Sequence, residues 1–303
     1  MVDSTASCER VLVIIPTFNE VENLRPITAR IRAAVPSAHI LVADDNSPDG
    51  TGALADELAA ADDHIHVLHR KGKEGLGAAY IAGFRWGLNE GFDVLVEHDA
   101  DGSHQPEHLP AMLERLRTAD AVKGSRYVKG GATEGWPLHR ELLSRGGNLW
   151  TRVMLGLRVK DATGGFTAWR ANTLRGIDLD GVEAAGYGFQ VDLVWRALRN
   201  GFTVAEVPIT FIEREYGDSK MTSSIVAEAM LLTTRWGLNY RWGQARQLAA
   251  RAGETAGEVG KDVASKVGPV ARDVARDAGR GAGRLRERLS AWLGRQKAGS
   301  GRS

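Results

Sequence analysis

The chain has 303 residues, with 39 Lys and Arg against 38 Asp and Glu, a net charge of +1 and 43% hydrophobic residues. That is room for one large α/β domain or two small ones, and the charge balance points to no nucleic-acid partner. The single cysteine, Cys8, excludes an intrachain disulfide, and the polar start MVDSTASCER lacks the apolar core of a signal peptide.

Arg10–Pro16 (RVLVIIP) predicts a buried strand ended by proline. Asn19 or Glu20 then opens a helix whose apolar face carries Val21, Leu24, Ile27, Ile31 and Val35. His39–Asp44 is a second strand, followed by the turn-rich Asn46–Gly50 and a helix over Thr51–Ala61. Ile65–His69 is a third strand, Leu76–Glu90 a helix, Asp93–His98 a fourth strand, Pro106–Arg117 a helix and Asp120–Ser125 a fifth strand. The alternation implies a mostly parallel central sheet with helices on both faces, and ligands outside the carboxyl ends of its strands. Phe18-Asn19-Glu20, Asp44-Asp45 and Asp99 with Asp101 each follow a strand, so three acidic clusters converge on one sheet edge.

The second half is less regular. Gly130, Gly131, Gly135 and Pro137 predict a mobile loop over Tyr127–Leu138. His139–Gly156 reads as a helix, Gly164–Arg170 as a strand and Phe189–Arg199 as an amphipathic helix. Val204–Ile212 reads as a strand that Pro208 confines to an edge, Arg214–Met221 as a polar loop and Thr222–Trp242 as an aromatic-rich helix. The expected organisation is a flexible segment 1–9, one folded domain over 10–243 and a tail over 244–303.

That tail holds 13 Lys and Arg against 6 Asp and Glu. Val259, Val263, Val267, Val270 and Val274, then Leu285, Leu289 and Leu293, recur at helical spacing, but repeated glycines and Pro269 weaken a helix. A disordered or amphipathic basic tail facing an anionic surface is expected. No stretch reaches the about 18 apolar residues of a membrane span; Ile225–Leu238 is interrupted by Glu228 and Arg235. A cytosolic protein in peripheral contact with the membrane follows.

The chemistry concentrates in few places. Asp99-Ala100-Asp101 puts two carboxylates just past a strand, where they can share a hard divalent cation that keeps positions open for diphosphate oxygens. Alone such a pair is often a solvated turn; after four alternating strands it points to Mg²⁺ or Mn²⁺ and a nucleotide. Asp44 and Asp45 suit a base N–H or a ribose hydroxyl, while Ser47 or Asp49 suits the N-cap of the next helix. KGKEGLG (71–77) lacks the Gly-Lys-Ser/Thr ending of a phosphate loop and reads as a helix-entry turn. Arg126, Arg140, Arg214 and Lys220, with Arg145 behind them, can stabilise a leaving diphosphate or hold a second anion; solvated surface charge is the commoner fate of any single Arg. His98, His104 and His108 raise a zinc alternative, which Pro106 disfavours by separating the last two.

Taken together, these segments resemble the dolichyl/polyprenyl-phosphate mannose synthases within the inverting GT-A glycosyltransferases of family 2. The matching stretches are IPTFNEVENL (15–24), ADDNSPDGT (43–51), GLGAAYIAGF (75–84), EHDADGSHQP (97–106), KGSRYVKGG (123–131), residues 136–148, DATGGFTAWR (161–170), GYGFQVDL (186–193) and EVPITFIEREYGDSKM (206–221). The resemblance implies a GT-A (Rossmann-like) fold, GDP-mannose as donor, a polyprenyl monophosphate as acceptor, and Mg²⁺ or Mn²⁺. It implies that Pro16, Phe18, Glu20, Asp44 and Asp45 hold guanine and ribose, and that Asp99, Ala100 and Asp101 hold diphosphate and metal. Arg126, Arg140 and Ser144 would contact the acceptor phosphate, and Arg214, Ser219 and Lys220 would close over the donor; Asp101, Arg126 and Lys220 then carry catalysis.

There are departures. Phe18 stands where many relatives have tyrosine, Ser103 where some have a glutamine metal ligand, and Gly188 where some have lysine. At Ser103 the metal ligand becomes the hydroxyl or a water. A dianionic phosphate acceptor needs no general base, so none is assigned. Many relatives continue into transmembrane helices. Here Trp236, Tyr240 and Trp242 beside Arg235 and Arg241, with the basic tail, suit a membrane surface or an integral membrane partner. The rivals are another donor, UDP-glucose or UDP-GlcNAc, on the same fold, and an inactive scaffold for membrane enzymes.

Overall fold

The structure, a computed structural model, describes residues 9–182, 188–213 and 230–244, with residues 246, 261, 262, 265, 268, 269 and 276. The chain divides into two units, residues 1–238 and 239–303. In the second, 239–244 are helical. Among the described residues the first holds all the strands.

Those strands are β1 (Val11–Thr17), β2 (His39–Asp44), β3 (Ile65–His69), β4 (Val94–Glu97), β5 (Ala121–Ser125), β6 (Ala132–Glu134), β7 (Thr167–Arg170), β8 (Val204–Pro208) and β9 (Thr210–Ile212). The helices are α1 (Val21–Ala34), α2 (Thr51–Ala61), α3 (Leu76–Asn89), α4 (Leu109–Leu116), α5 (Leu138–Leu155), α6 (Ala171–Gly176) and α7 (Gly188–Arg199). Seven strands form one sheet in the order β3-β2-β1-β4-β7-β5-β8. All neighbours are parallel except β7, which runs antiparallel to both β4 and β5.

The strands are apolar on both faces because both are covered. One face packs Val13, Ile15, Val42 and Val96 against Leu24, Ile27 and Ile31 of α1 and Met112 of α4. The other packs Leu12, Ile14, Leu41 and Leu95 against Tyr80 and Phe84 of α3 and Phe189 and Leu193 of α7. Helix α3 lies unusually close to the sheet. A Cβ on Gly83 would come 2.6 Å from Ile14, and one on Gly87 would come 2.6 Å from Leu12 and 2.7 Å from Leu95.

The first half follows the sequence expectation to within a residue or so, except that Pro106–His108 form a 3-10 turn and α4 starts only at Leu109. The second half needs correction. The expected loop over Tyr127–Leu138 contains β6, which pairs in parallel with β9. The single strand expected over Val204–Ile212 is two: β8 lies at the sheet edge, as Pro208 requires, and β9 leaves to join β6. Ile209 makes the switch, donating its N–H to the Ser125 carbonyl (3.1 Å) and accepting from the Ala132 N–H (3.0 Å). β7 begins only at Thr167, because a turn at Ala162–Thr163 and a bend at Gly165 precede it, and α6 was not foreseen. Of the expected helix over Thr222–Trp242, residues 230–242 are helical; 222–229 and the loop 214–221 lie outside the described residues. Among the described residues no helix is long and apolar enough to cross a membrane.

Candidate active site

The carboxyl ends of β1, β2, β4 and β5 meet the start of antiparallel β7 on one sheet edge, and the unusual side chains gather there. Asp44, at the end of β2, is almost fully buried. Its carboxylate accepts from the Thr17 hydroxyl (2.9 Å), the Ser47 N–H (3.0 Å) and the Ser47 hydroxyl (2.6 Å). Asp45 donates its N–H to the Thr17 carbonyl (3.0 Å), and its carboxylate pairs with Arg70. Burial raises the Asp45 carboxyl above its ordinary value, with Arg70 opposing.

The turn after β2 also satisfies the open N–H groups at the start of α1. Ser47 Oγ accepts from Asn19 N–H (3.0 Å), Thr51 Oγ1 from Glu20 N–H (2.9 Å), and Asp49 Oδ2 from Val21 N–H (3.2 Å). Asn19 and Asn46 take left-handed φ values of 59° and 58°, which asparagine tolerates. The two segments expected to hold the nucleoside are therefore one hydrogen-bonded surface. Pro16 and Phe18 are half-buried in it, with Lys73 Nζ 4.4 Å from the Phe18 ring.

Asp99 and Asp101 follow β4. The Tyr80 hydroxyl donates to Asp99 Oδ1 (2.9 Å), and the Ser103 N–H donates to Asp101 Oδ1 (3.0 Å). Asp99 Oδ2 lies 3.7 Å from His104 Nδ1. Burial, with the Asp99 charge beside it, pushes the Tyr80 phenol well above its ordinary value, so it remains a donor. Opposite stands Gly165, where a Cβ would lie 2.7 Å from Gln190 Nε2 and 3.4 Å from Asp99 Oδ2. A carboxylate offers about four lone-pair sites, so these hydrogen bonds are compatible with a cation. Among the described residues no three His, Cys, Asp or Glu side chains converge on a metal position. Two carboxylates completed by water and phosphate oxygens is a donor set that suits Mg²⁺ or Mn²⁺. Ala100 and Ser103, beside them, are buried.

The neighbouring histidines are neutral. Burial lowers His98 to about 3 and His104 to about 4. His98 Nδ1 donates to the Asp99 carbonyl (2.8 Å), and His108 Nε2 accepts from the Thr210 N–H (3.1 Å). Behind Asp99 lie two buried charge-bearing groups. Trp169 Nε1 donates to Glu97 (2.7 Å), while Lys123 Nζ donates to the Gly164 carbonyl (2.6 Å) and Thr167 Oγ1 (3.1 Å). Burial pushes Glu97 up to about 8 and lowers Lys123.

The cations form a second cluster. Arg126, after β5, is buried and forks onto Asp161: Nε and Nη2 each lie 2.7 Å from a carboxylate oxygen, and its backbone N–H donates to the same group (3.0 Å). Burial would raise the Asp161 carboxyl, but Arg126 outweighs it and holds that carboxyl below its ordinary value. The rings of Tyr127, Trp136 and Phe211 surround the guanidinium at 5.2–5.5 Å. Arg140 lies 4.4 Å from the same Trp136 ring and pairs with Glu213. Ser144 accepts from the Tyr127 hydroxyl (2.7 Å), and Arg145 pairs with Glu141 (2.8 Å). Arg126, Arg140 and Ser144 are thus brought together, whereas Arg214, Ser219 and Lys220 lie outside the described residues.

Sequence reasoning missed Tyr80, Asp161, Glu97 and Lys123. Tyr80 had a signal, since it shares helical spacing with Gly83 and Phe84 inside the motif GLGAAYIAGF (75–84). Asp161 opens another such motif, DATGG, but nothing local shows that it would reach Arg126.

Comparison with known proteins fits this geometry. Residues 12–177 match the family described as glycosyl transferase family 2. The chain is 60% identical over 233 residues to an undecaprenyl-phosphate mannosyltransferase of Micrococcus luteus, covering 77% of this chain and 96% of that one. It is 55% identical over 240 residues to a polyprenol monophosphomannose synthase of Mycolicibacterium smegmatis, covering 78% and 91%. Its fold resembles the crystal structure of glucosyl-3-phosphoglycerate synthase from Mycobacterium tuberculosis in complex with Mn²⁺, uridine diphosphate and phosphoglyceric acid, with a TM-score of 0.55, 20% identity, and coverage of 75% of this chain and 79% of that one. Matched along most of both chains by such relatives, and sharing the expected GT-A fold, the chain belongs to glycosyl transferase family 2 and is a glycosyltransferase.

Proposed function

We propose that the chain transfers mannose from GDP-mannose to a polyprenyl monophosphate with inversion, giving polyprenyl-phosphate β-mannose. The observation that carries this reading is 60% identity, along nearly the whole length of the relative, to an undecaprenyl-phosphate mannosyltransferase. Pro16, Phe18, Glu20, Asp44 and Asp45 hold guanine and ribose, with Asp44 fixed in that surface by Thr17 and Ser47. Asp99 and Asp101, with Ala100 between them and the Ser103 hydroxyl or a water beside them, hold Mg²⁺ or Mn²⁺. When bound, the metal offsets the charge that develops on the departing diphosphate. Arg214, Ser219 and Lys220 close over the donor.

Arg126, Arg140 and Ser144 hold the acceptor phosphate. Asp161 occupies Arg126 Nε and Nη2, which leaves the Nη1 donors for a phosphate oxygen. The second pKa of a phosphate monoester is about 6, so the acceptor is a nucleophile at neutral pH without a general base. In-line attack on the anomeric carbon inverts it. Positioning and charge stabilisation are what the protein supplies.

The acceptor's tail sets the place of work, the cytoplasmic face of the membrane. Helix α5, which carries Arg140 and Ser144, exposes Leu138, Leu142, Leu149 and Val153, at relative exposures of 70%, 61%, 58% and 53%. Their spacing puts them along one stripe, opposite the buried Asn148, Thr151 and Leu155. An apolar stripe on the helix that carries Arg140 and Ser144 fits a bilayer that holds the polyprenyl chain, and an integral membrane partner would serve the same end.

The test is transfer from GDP-α-mannose to polyprenyl phosphate in anionic vesicles. The anomeric NMR signal of the product should be that of a β-mannosyl phosphate, and an α product would contradict inversion. The protein should sediment with the vesicles and Leu142→Glu should release it; equal sedimentation of both proteins would remove α5 from the membrane contact.

A further inference from the structure

We infer that Tyr80 is a positioning residue for the metal–diphosphate site, fixing the Asp99 carboxylate through its hydroxyl. This rests on the reading of Asp99 as a cation ligand. The hydroxyl lies 2.9 Å from Asp99 Oδ1. Tyr80 itself is fully buried. A buried phenol needs a partner within the protein, and here that partner is one of the two carboxylates on which the nucleotide chemistry depends.

The rest of α3 explains why the hydroxyl is a fixed point rather than a follower. Gly83 and Gly87 let the helix sit directly on Ile14, Leu12 and Leu95, where any larger side chain would collide. The Tyr80 ring is stacked against Phe189 of α7, with centroids 5.5 Å apart, and against Phe84 at 6.3 Å. Sheet, helix and a second helix therefore hold the phenol, and the carboxylate orients to meet it. On the far side of Asp99, Gly165 leaves the space that a side chain would take from Oδ2. Oδ2 lies next to Gly165 and 3.7 Å from His104 Nδ1, while Oδ1 accepts from the Tyr80 hydroxyl. Partners that orient a metal ligand from behind typically contribute 10–100-fold to metal affinity or activity.

The experiment titrates Mn²⁺ into the full chain in the presence of GDP and reads free Mn²⁺ by electron paramagnetic resonance, for wild type, Tyr80→Phe, Phe189→Leu and Asp99→Ala. Tyr80→Phe keeps the stacked ring and removes only the hydroxyl. It should weaken Mn²⁺ binding about 10–100-fold with an unchanged thermal unfolding midpoint, and added Mn²⁺ should restore much of its transferase rate. Phe189→Leu, which keeps the hydroxyl but removes a ring packed on it, should lower the unfolding midpoint and weaken Mn²⁺ binding less than Tyr80→Phe does. Wild-type affinity in Tyr80→Phe, with binding abolished in Asp99→Ala, would overturn the inference alone. So would equal weakening in Phe189→Leu, which would make packing rather than the hydroxyl the cause. Wild-type affinity in Asp99→Ala would overturn the metal reading beneath it.

Discussion

Asp101→Ala is expected to lower kcat by about 10²–10³-fold, the effect of removing one preorganised charge-stabilising group from a transferase site. Asp101 sits on the loop after β4, only partly buried, and its Oδ1 accepts from the Ser103 N–H. Truncation removes one of two carboxylates proposed to hold the cation and leaves the Ser103 N–H to find another partner. That loss is local, so circular dichroism and the unfolding midpoint should stay near wild type. The kinetic loss should persist at saturating GDP-mannose, because the missing interaction acts on charge that develops only as the diphosphate leaves. A folded Asp101→Ala protein with the wild-type rate would remove Asp101 from the mechanism; a folded wild type with no turnover would revive the scaffold alternative.

The largest stability effect should come from Asp161, which was not among the residues singled out from sequence. Asp161→Ala is expected to destabilise the domain by about 3–5 kcal/mol, since removing one partner of a buried ion pair strands the other. The stranded group is Arg126, whose Nε, Nη2 and backbone N–H all turn to Asp161. Asn148 and Thr163 belong to the same network: Asn148 Nδ2 donates to Thr163 Oγ1 (2.9 Å), and its carbonyl accepts from the Thr163 N–H (3.2 Å). Denaturant unfolding would measure the loss, and Asp161→Asn, which keeps shape and an acceptor, should lose less. The folded carboxyl is held below its ordinary value. Its contribution is therefore present above the ordinary carboxylate range and lost as pH falls through the folded value. A wild-type midpoint in Asp161→Ala would mean that Arg126 finds another anion.

The first half of the fold was legible because each strand is a continuous apolar run and each helix shows a clear stripe, as in Leu24, Ile27 and Ile31 of α1. The acidic residues of the proposed site were legible for the same reason, since Asp44 ends one such strand and Asp99 lies two residues past another. The second half was harder because pairings distant in sequence decide it. Three residues of β6 become a strand only by meeting β9. Ile209 breaks an extended run because Ser125 and Ala132 claim its two backbone groups. Arg126 was visible as a cation at a strand end, but its buried partner lies 35 residues away. Tyr80 was not singled out, because helical spacing shows which face is buried and not which hydroxyl reaches a carboxylate.

The most direct measurement incubates the full chain with polyprenyl phosphate, Mg²⁺ and, in parallel, GDP-mannose, UDP-glucose and UDP-GlcNAc, and weighs the lipid product. A polyprenyl-phosphate hexose formed from GDP-mannose alone is the predicted result. Product from a UDP-sugar alone would contradict the donor assignment while keeping the fold and the Asp99–Asp101 site, and no product from any donor with membranes added would contradict the account as a whole.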